Sequence, residues 1–435
     1  DAAPGATAPR PAVNCRLMTA AATRTTANLY HVLHERGLVA QSTDDRIRDR
    51  LDAPVTAYIG FDPTADSLHV GSLVPVMALA WLQRCGHKPL VLVGGATGLV
   101  GDPSGKTEAR RMLTREQIDD NAAAIATQIG SLVRFGEDAT GAELVNNADW
   151  LVGLPWIELL RDVGSRVSVN RMLSMESVKG RLQSESGLSY LEFSYMIMQA
   201  YDFAHLHRER GCSLQLGGQD QWGNIVMGIE LGRKRDDADL AGLTLPLVTR
   251  ADGAKFGKSE AGNVWLDPAR TPPYDFYQFW RNTADADVGR FLGYFTFLEM
   301  DEVRRLGALA GAEINTAKEV LAFEVTRLVH GEAEAEAAQD SATRAFGAGD
   351  VRGESIPSQA VDRDTLLTTP IVALMRGAKF VDSNKQAKQF IKDRAVRVWD
   401  EVVTPEKTHL VEADVRDGSV LLKLGKKKLF RFDLQ

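Results

Sequence analysis

The sequence predicts an α/β fold, in which a domain built on a parallel sheet precedes a helical domain and a small C-terminal α+β domain. Up to about residue 270, short apolar runs alternate with helical patterns, which is typical of a parallel sheet covered by helices. From Pro272 to about Phe346 the pattern is helical and lacks strand-like runs. After roughly Asp364 a basic segment with a mixed helix and strand pattern begins.

The elements of the first domain follow one another in strand, loop and helix order. A helix is predicted from Leu29, because Leu29, Val32 and Leu33 share one face and Gly37 stops the pattern. Ligands of such sheets lie at the carboxyl ends of the strands, so the loops after the strands are the candidate functional loops. The further elements predicted are strands at Val55–Ile59, Pro89–Val93 and Leu214–Leu216 and a helix at Val70–Leu82.

Composition and turn signals divide the chain into segments. Gly347–Gly353 has the glycine-rich composition of a linker. The predicted segments are a disordered extension (1–28), the sheet domain (29–270), the helical domain (271–346), the linker (347–363) and the C-terminal domain (364–435).

Bulk composition limits the location of the protein. The 435 residues are 44% hydrophobic and 25% charged, and no apolar run reaches the roughly 18 residues that a transmembrane helix needs. Three scattered cysteines fit a reducing compartment, so we expect a cytoplasmic protein. An organellar location is the alternative, because the first 28 residues are rich in Ala and Thr and carry Arg10, Arg16 and Arg24 against one acid, Asp1.

The charge is distributed unevenly along the chain. The net charge is -7, yet residues 376–435 hold 14 Lys+Arg against 9 Asp+Glu. A basic C-terminal segment on an acidic body is compatible with a nucleic-acid partner, and also with a solvated basic surface.

The first chemical motif runs from Asp62 to Ser72, between a predicted strand and a predicted helix. A helix start attracts phosphate through its free N–H groups and its dipole. His69 can donate to a phosphate oxygen there, and Gly71 lets a nucleotide approach the backbone. A histidine with a purely structural role is the alternative that this motif leaves open by itself.

The second motif is Lys255-Phe-Gly-Lys258-Ser259, between Asp252-Gly253 and Gly262. Two lysines that flank a glycine form a cationic loop, which can bind pyrophosphate as negative charge develops in a transition state. A solvated surface loop is the alternative reading of this segment by itself. Other phosphate motifs do not fit, because Gly101–Thr107 has one residue too few for a P-loop and Gly94–Gly98 does not match GxGxxG.

Together the two motifs resemble the two ATP-binding signatures, HIGH and KMSKS, of the class I aminoacyl-tRNA synthetases. That family uses a Rossmann-type nucleotide fold, which agrees with the predicted parallel sheet. Further segments resemble the bacterial-type tyrosyl-tRNA synthetases, over nearly the whole chain from about residue 28. These segments are Tyr58–Thr64, Gly94–Lys106, Glu192–Phe203 and Gly217–Asn224.

The resemblance implies a tyrosine pocket and an ATP site. Tyr195, Gln199 and Asp202 have the spacing of one helical face, where buried polar groups need a hydrogen-bonding partner. A core helix with internally bonded polar residues is the alternative. By resemblance, Tyr58 and Asp202 contact the substrate hydroxyl, Asp102, Tyr195 and Gln199 hold its ammonium, and Gln221 lies near its carboxylate. The implied ATP-binding residues are Gly60, Asp62, His69, Gly71, Ser72, Gly218, Asp220 and Lys258.

The implied reaction activates tyrosine with ATP and transfers the tyrosyl group to the 3′ end of tRNA(Tyr). Positioning and charge stabilisation are the expected source of catalysis. The residues assigned to it are Thr64, His69, Lys255, Lys258 and Ser259. Mg²⁺ is expected to accompany ATP, but the sequence predicts no dedicated metal site and no tightly bound cofactor. Ser72 replaces the family's usual second histidine, so we expect retained activity with altered ATP handling.

The C-terminal segment Ser383–Val398 resembles an S4-type RNA-binding domain. Lys385, Lys388 and Lys392 share a helical face that suits a phosphate backbone. Lys106 and Arg110 match positions that the family associates with ATP or with the tRNA acceptor end. The resemblance also implies a homodimer and no membrane partner.

Three other readings remain open from the sequence. A tryptophanyl enzyme shares the fold and both signatures, but the Tyr58 and Asp202 pairing and the S4-like segment disfavour it. A related nucleotidylyltransferase would not need the long RNA-binding appendage. An inactive RNA-binding protein on the same scaffold gains support from Ser72 alone.

Overall fold

A computed structural model describes residues 25–102, 113–183, 187–251, 256–259, 262–346, 357–399, 401–405, 407–425 and 428–434. Its first sheet has the strand order β1-β6-β5-β2-β3-β4, in which β2 to β6 are parallel and the two-residue β1 is antiparallel to β6. The strands are β1 Gln41–Ser42, β2 Thr56–Phe61, β3 Lys88–Val93, β4 Glu143–Asn146, β5 Cys212–Gly218 and β6 Ala241–Leu245.

Burial on both faces explains why the central strands are apolar runs and not alternating ones. In β3, every residue after Lys88 is buried, and β6 is buried throughout. β2 lies between β5 and β3, so that Tyr58 is paired with Gln215 on one side and with Leu90 on the other. The predicted α/β class with a parallel sheet is therefore confirmed.

Helices cover both faces of this sheet. They are α1 Leu29–Glu35, α2 Ile47–Arg50, α3 Leu73–Arg84, α4 Thr97–Val100, α5 Arg115–Ile129, α6 Ala148–Leu151, α7 Trp156–Leu159, α8 Val169–Leu173, α9 Glu176–Leu182, α10 Tyr190–Arg210 and α11 Trp222–Asp236. Short 3-10 turns occupy Val70–Ser72 and Gln219–Gln221, and a π-helical turn occupies Leu160–Gly164.

Sequence signals mark both ends of α10, whereas α3 starts three residues later and ends two residues later than the predicted helix Val70–Leu82. In α10, Ser189 and Glu192 form a reciprocal capping box, and Gly211 ends the helix in the left-handed conformation with φ 62°. In α3, apolar residues on almost every side are buried under the sheet. The predicted helix Val70–Leu82 thus corresponds to a 3-10 turn followed by α3.

The start of the described chain is tied to the domain. Asn28 caps α1 by accepting from the Tyr30 N–H at 2.9 Å, and its amide donates to Asp52 Oδ1 at 2.7 Å. Residues 25–28, which were predicted to belong to a disordered extension, are therefore part of the fold. Residues 1–24 of that predicted extension lie outside the described residues.

The segment after the sheet domain is helical, as its pattern predicts. Its helices are α12 Pro273–Arg281, α13 Asp285–Phe295, α14 Met300–Gly307, α15 Ile314–His330 and α16 Glu332–Phe346. A cluster of aromatic rings joins it to the lysine-containing loop, because the Phe256 ring contacts the rings of Trp280, Phe291 and Phe295. In the loop itself, β7 Lys258–Ser259 pairs with β8 Gly262–Asn263.

A second sheet lies at the C-terminus, with the order β11-β10-β12-β13-β9. Its strands are β9 Ser358–Val361, β10 Val396–Val398, β11 Glu401–Val402, β12 Ser419–Leu424 and β13 Lys428–Leu434, and its helices are α17 Arg363–Thr368, α18 Ile371–Gly377 and α19 Asn384–Lys392.

The boundary predicted at residue 364 is too late. β9 lies inside the predicted linker 347–363, and it pairs in parallel with β13 from Ser358 to Val361. Its four residues are mostly exposed, so they lack the apolar alternation that marks a half-buried strand. Residues 347–356 of the predicted linker lie outside the described part of the chain.

Among the helices of the described residues, none combines the length and the apolar character that crossing a bilayer requires.

Candidate active site

Loops at the carboxyl ends of four parallel strands meet at one edge of the first sheet. Asp62 follows β2, and its Oδ1 accepts a hydrogen bond from Thr97 Oγ1 at 2.9 Å. Asn146 ends β4, and its Oδ1 accepts from the Gly95 N–H in the loop after β3 at 3.1 Å. The edge that the sequence singled out is therefore a continuous polar rim.

Gly94 makes the close approach of the loops after β2 and β3 possible. A Cβ atom at this position would lie 2.2 Å from Asp62 Oδ1 and 2.3 Å from Thr97 Oγ1. No side chain fits in that space, so the Asp62–Thr97 hydrogen bond depends on a glycine here.

Helix α10 presents its polar stripe to this rim. Tyr195 Oη donates to Asp62 Oδ2 at 2.8 Å, and Gln199 Oε1 accepts from Asn224 Nδ2 at 2.8 Å. Tyr195 is buried, and burial raises the pKa of its hydroxyl well above the usual value. The Tyr195, Gln199 and Asp202 spacing therefore does place three polar side chains toward the interior.

Asp202 is a fully buried carboxylate that is held by two donors. Asn147 Nδ2 donates to its Oδ2 at 3.0 Å, and Trp150 Nε1 donates to its Oδ1 at 2.8 Å. Burial raises the pKa of Asp202 to about 7, although both hydrogen bonds act in the opposite direction. A carboxylate this poorly solvated gains from any further donor that enters the site.

Tyr58 lies on the central strand β2 close to Asp202. It is 1% exposed, and within the described residues its hydroxyl has no hydrogen-bond partner. Burial raises the pKa of this hydroxyl well above its usual value, and the negative charge of Asp202 adds to the effect. A buried phenol without a partner is costly, so this position suits a ligand with a polar group of its own.

A second network joins the loop after β3 to the turn after β5. Gln221 Nε2 donates to Asp102 Oδ2 at 2.7 Å and to Asp220 Oδ2 at 3.2 Å. Asn224 Nδ2 donates to Gln221 Oε1 at 3.1 Å as well as to Gln199. Asp102, Gln199 and Gln221, which were predicted to bind one substrate, are thus linked through Asn224.

The segment around His69 lies between β2 and α3 and pairs with the chain that follows β8. His69 Nδ1 accepts from the Gly71 N–H at 3.0 Å, which leaves Nε2 on the far side of the ring. The backbone of Val70 donates to Val264 O at 3.0 Å, and that of Leu266 donates to Leu68 O at 2.8 Å. His69 therefore lies in a short antiparallel ladder with the strand-like segment that follows β8.

The same segment carries the lysine-containing loop to His69. Val264 N–H donates to Gly257 O at 3.0 Å. Gly257 has φ 84°, and a Cβ atom on it would lie 3.2 Å from Val70 Cγ2 and 3.5 Å from the Gly71 nitrogen. The two motifs that are far apart in sequence are thus in direct backbone proximity.

The other predicted residues have the following positions. Gly60 and Gly218 lie at the carboxyl ends of β2 and β5, and Thr64 is exposed just after Asp62. Ser72 is half-buried and directly precedes α3, but its side chain does not cap that helix. Lys258 and Ser259 form β7, and Lys106, Arg110 and Lys255 lie outside the described residues. Lys385, Lys388 and Lys392 are exposed on α19, whose buried face carries Ala387 and Ile391.

Sequence reasoning missed several side chains of the site: Thr97, Asn147, Trp150 and Asn224. Asn147 directly follows β4, so the rule about carboxyl ends of strands would have found it had Glu143–Asn146 been predicted as a strand. Trp150 offered no such signal, because an indole in a short helix is most often a packing residue.

Comparison with known proteins agrees with this geometry. A family described as tRNA synthetases class I (W and Y) matches residues 50–347. A tyrosine–tRNA ligase of Rhodospirillum rubrum is 51% identical over 403 residues, covering 91% of this chain and 96% of the relative. One of Rhizobium meliloti is 50% identical, covering 92% and 97% of the two chains.

Solved structures of tyrosyl-tRNA synthetases resemble this chain as well. A C-terminally truncated mitochondrial tyrosyl-tRNA synthetase of Aspergillus nidulans has a TM-score of 0.64 at 33% identity, covering 72% of this chain and 92% of that one. The fold alone is shared with an Archaeoglobus fulgidus tyrosyl-tRNA synthetase complexed with L-tyrosine, at TM-score 0.54 and 18% identity, with coverages of 72% and 99%.

The chain belongs to the class I aminoacyl-tRNA synthetases of the tryptophan and tyrosine group. Its high identity to ligases for one amino acid, over more than nine-tenths of its length, decides between the two substrates. Within the group it is a bacterial-type tyrosine–tRNA ligase, which activates tyrosine with ATP and loads it onto tRNA.

Proposed function

We propose that L-tyrosine binds between β2 and α10 with its phenol hydroxyl between Tyr58 and Asp202. The observation that carries this proposal is the buried pair of a hydroxyl without a described partner and a carboxylate with two donors. The substrate hydroxyl can donate to Asp202 and accept from Tyr58 at the same time. Phenylalanine would leave both groups unpaired, which is the physical basis of its rejection.

The other end of the amino acid faces the second network. Asp102, Tyr195 and Gln199 offer carboxylate, phenol and amide oxygens that suit an ammonium group, and Gln221 supplies an amide near the carboxylate. The ammonium would replace part of the existing hydrogen bonding among these side chains. This arrangement orients the substrate carboxylate toward the His69 side of the rim.

ATP binds along the ends of β2 and β5, together with the Mg²⁺ that it carries. The groups assigned to it are the backbones of Gly60, Gly71 and Gly218 and the side chains of Asp62, His69, Ser72, Asp220 and Lys258. The tyrosine carboxylate attacks the α-phosphorus, the bond to the bridging oxygen of the β-phosphate breaks, and pyrophosphate leaves. Thr64, His69, Lys255, Lys258 and Ser259 stabilise the developing charge.

In the second step a ribose hydroxyl at the tRNA 3′ end attacks the tyrosyl carbonyl carbon, and AMP leaves. The exposed lysines of α19 contact the tRNA backbone, and Lys106 and Arg110 serve the acceptor end. A cytoplasmic location, with an organellar one as the alternative, stays a prediction from composition and from residues 1–28.

A homodimer is supported by an apolar surface. Of the twelve large hydrophobic side chains that are exposed among the described residues, ten lie between residues 144 and 191. Four of them, which we call the α7 patch, are Val152, Trp156, Ile157 and Leu160. Such a concentration is typical of a protein–protein interface, and a second copy of the chain is the occupant that we propose.

Pyrophosphate exchange into ATP tests the pocket assignment. Wild-type protein is assayed with tyrosine, phenylalanine and tryptophan, beside Tyr58→Phe and Asp202→Asn. We expect exchange with tyrosine in the wild type, and in each variant at least about a tenfold loss of the preference for tyrosine over phenylalanine. An unchanged preference in both variants would place the hydroxyl-reading site elsewhere.

A further inference from the structure

We propose that His205 is a positioning residue for tyrosine recognition, which acts by fixing the indole of Trp150 and through it the carboxylate of Asp202. The inference rests on the proposed role of Asp202 as the acceptor of the substrate hydroxyl. His205 lies on α10 and is proposed to influence substrate binding without contacting the substrate.

The connection consists of two contacts. Trp150 Nε1 donates to Asp202 Oδ1 at 2.8 Å, so the direction of the carboxylate depends on where the indole lies. The His205 ring is stacked on that indole, with the ring centroids 4.4 Å apart and an interplanar angle of 20°. Asp202 and His205 are three residues apart on α10, so the helix fixes their positions relative to each other.

A second aromatic ring lies near His205. Tyr201 lies on that helix with its ring centroid 6.2 Å from His205 and an interplanar angle of 22°. The guanidinium carbon of Arg235 lies 5.1 Å from the centre of the Tyr201 ring, which anchors the stack to α11. Burial lowers the pKa of His205 and so disfavours the charged imidazolium in the stack.

A cavity explains why the stack is needed. A space of about 260 Å³ opens beside Trp150 and His205, and its lining includes Leu144, Asp149 and Glu209. Close packing therefore does not confine the indole on that side. Trp150 also packs against two clusters of buried hydrophobic side chains. Beside the open space the face of His205 restricts the indole, and its removal lets the indole move toward that space and away from Asp202.

A purely structural role of His205 predicts a different outcome. If the ring only filled space on α10, its loss would lower stability and would change the kinetic constants for both substrates or for neither. A positioning role predicts a selective effect, because Asp202 reads the amino acid and has no assigned contact with ATP.

The test compares His205→Ala with His205→Phe in pyrophosphate exchange, with KM for tyrosine, KM for ATP and kcat measured separately. We expect alanine to raise KM for tyrosine about fivefold or more, in line with the loss of one ring-stacking pair, while KM for ATP changes less than about twofold. Phenylalanine keeps a flat ring and is expected to restore KM for tyrosine. Should the alanine variant not fold, His205→Gln, which also lacks a ring, takes its place.

His207→Ala is the matched control. His207 is on the same helix, is half-buried and bonds through Nδ1 to Cys212 O at 3.0 Å, away from Trp150. It is expected to leave KM for tyrosine unchanged. An equal rise in this control, or a failure of phenylalanine to restore the constant, would overturn the role of the stack.

The Asp202→Asn background separates the two proposals. If His205 acts through Asp202, then His205→Ala has no further effect on KM for tyrosine once Asp202 is replaced. An additive effect overturns the proposal for His205. If Asp202→Asn by itself leaves KM for tyrosine and the preference over phenylalanine unchanged, the proposed function of Asp202 fails instead.

Discussion

Tyr195 and Asp62, 133 residues apart in sequence, are joined by a hydrogen bond of 2.8 Å from the phenol to Oδ2. Because Thr97 occupies Oδ1 of the same carboxylate, both oxygens of Asp62 are held. Asp62 belongs to the loop assigned to ATP, whereas Tyr195 belongs to the stripe assigned to tyrosine. The bond therefore links the two halves of the site directly.

Loss of this bond should affect both substrates. In Tyr195→Phe the half-buried Asp62 loses a donor to its Oδ2, and we expect kcat/KM in pyrophosphate exchange to fall about tenfold for tyrosine and for ATP alike. Tyr190→Phe, at the exposed start of α10, is the matched control and should behave as wild type. A loss confined to tyrosine would show that Asp62 is held in place without Tyr195.

The titration of Asp202 should make the free energy of unfolding fall as the pH rises. Its pKa in the fold is about 7, against 3.8 for an ordinary aspartate, because burial disfavours the charged form. The stabilisation by the protonated form is therefore present below about pH 4 and is lost as the pH rises to 7. Between pH 5 and pH 8 the wild type should lose about 2 to 3 kcal/mol relative to Asp202→Asn, which does not titrate.

Thermal melts of both proteins at several pH values measure this difference. The melting temperature of Asp202→Asn should rise relative to wild type up to about pH 7 and then stay constant. A difference that does not depend on pH would mean that Asp202 is already ionised throughout this range.

A side chain at Gly257 is predicted to lower the rate of tyrosine activation by ATP. Alanine there is strained at φ 84°, and its Cβ would lie in tight contact with Val70 Cγ2 at 3.2 Å, so we expect the lysine-containing loop to shift relative to His69. We expect kcat of pyrophosphate exchange to fall about tenfold or more with little change in KM for tyrosine. Gly262→Ala separates the two causes, because φ is 108° there but, among the described residues other than its chain neighbours, no atom lies within 4 Å of the added Cβ. Equal losses would assign the effect to backbone strain alone.

The α7 patch predicts the oligomeric state. Ile157→Glu puts a charge on a side chain that is 64% exposed in the single chain, and we expect it to convert a dimer into monomers in sedimentation equilibrium. Val411→Glu, at a side chain that is 52% exposed on the C-terminal part, should remain dimeric. A wild-type protein that sediments as a monomer at micromolar concentration would contradict the proposed interface.

Replacing the lysines of α19 should impair tRNA binding without changing tyrosine activation. Replacing Lys385, Lys388 and Lys392 by glutamine should weaken tRNA binding and reduce its dependence on salt, because up to three phosphate contacts are lost. Pyrophosphate exchange without tRNA should not change. The triple lysine-to-arginine variant keeps the charge and should bind tRNA as wild type does. A glutamine variant with an unaltered salt dependence would exclude this face.

The sequence was sufficient for the parts of the fold that depend on local patterns. Apolar runs predicted β2 and β3 to within about two residues at either end, because both faces of these strands are buried. The spacing of Tyr195, Gln199 and Asp202 predicted a polar stripe because helical periodicity is a local property. Resemblance, and not periodicity, supplied the roles assigned to these residues.

Contacts between distant segments could not be predicted in this way. The Trp150–Asp202 bond joins residues 52 apart in sequence, and nothing near Trp150 announces its partner. β9 was missed because a parallel edge strand needs only backbone pairing with β13, which leaves no mark in four mostly exposed residues.

The two segments that pair beside His69, residues 67–70 and 264–267, are synthesised at different times. Ser67, which accepts from the backbone of Asp267, leaves the ribosome 200 residues earlier than its partner. The described side-chain hydrogen bonds around Asp202 and Gln199 involve no residue after Asn224, whereas the ladder beside His69 needs Val264 and Leu266. The contacts that bring the two sequence motifs together therefore form only after the chain has been translated past Leu266.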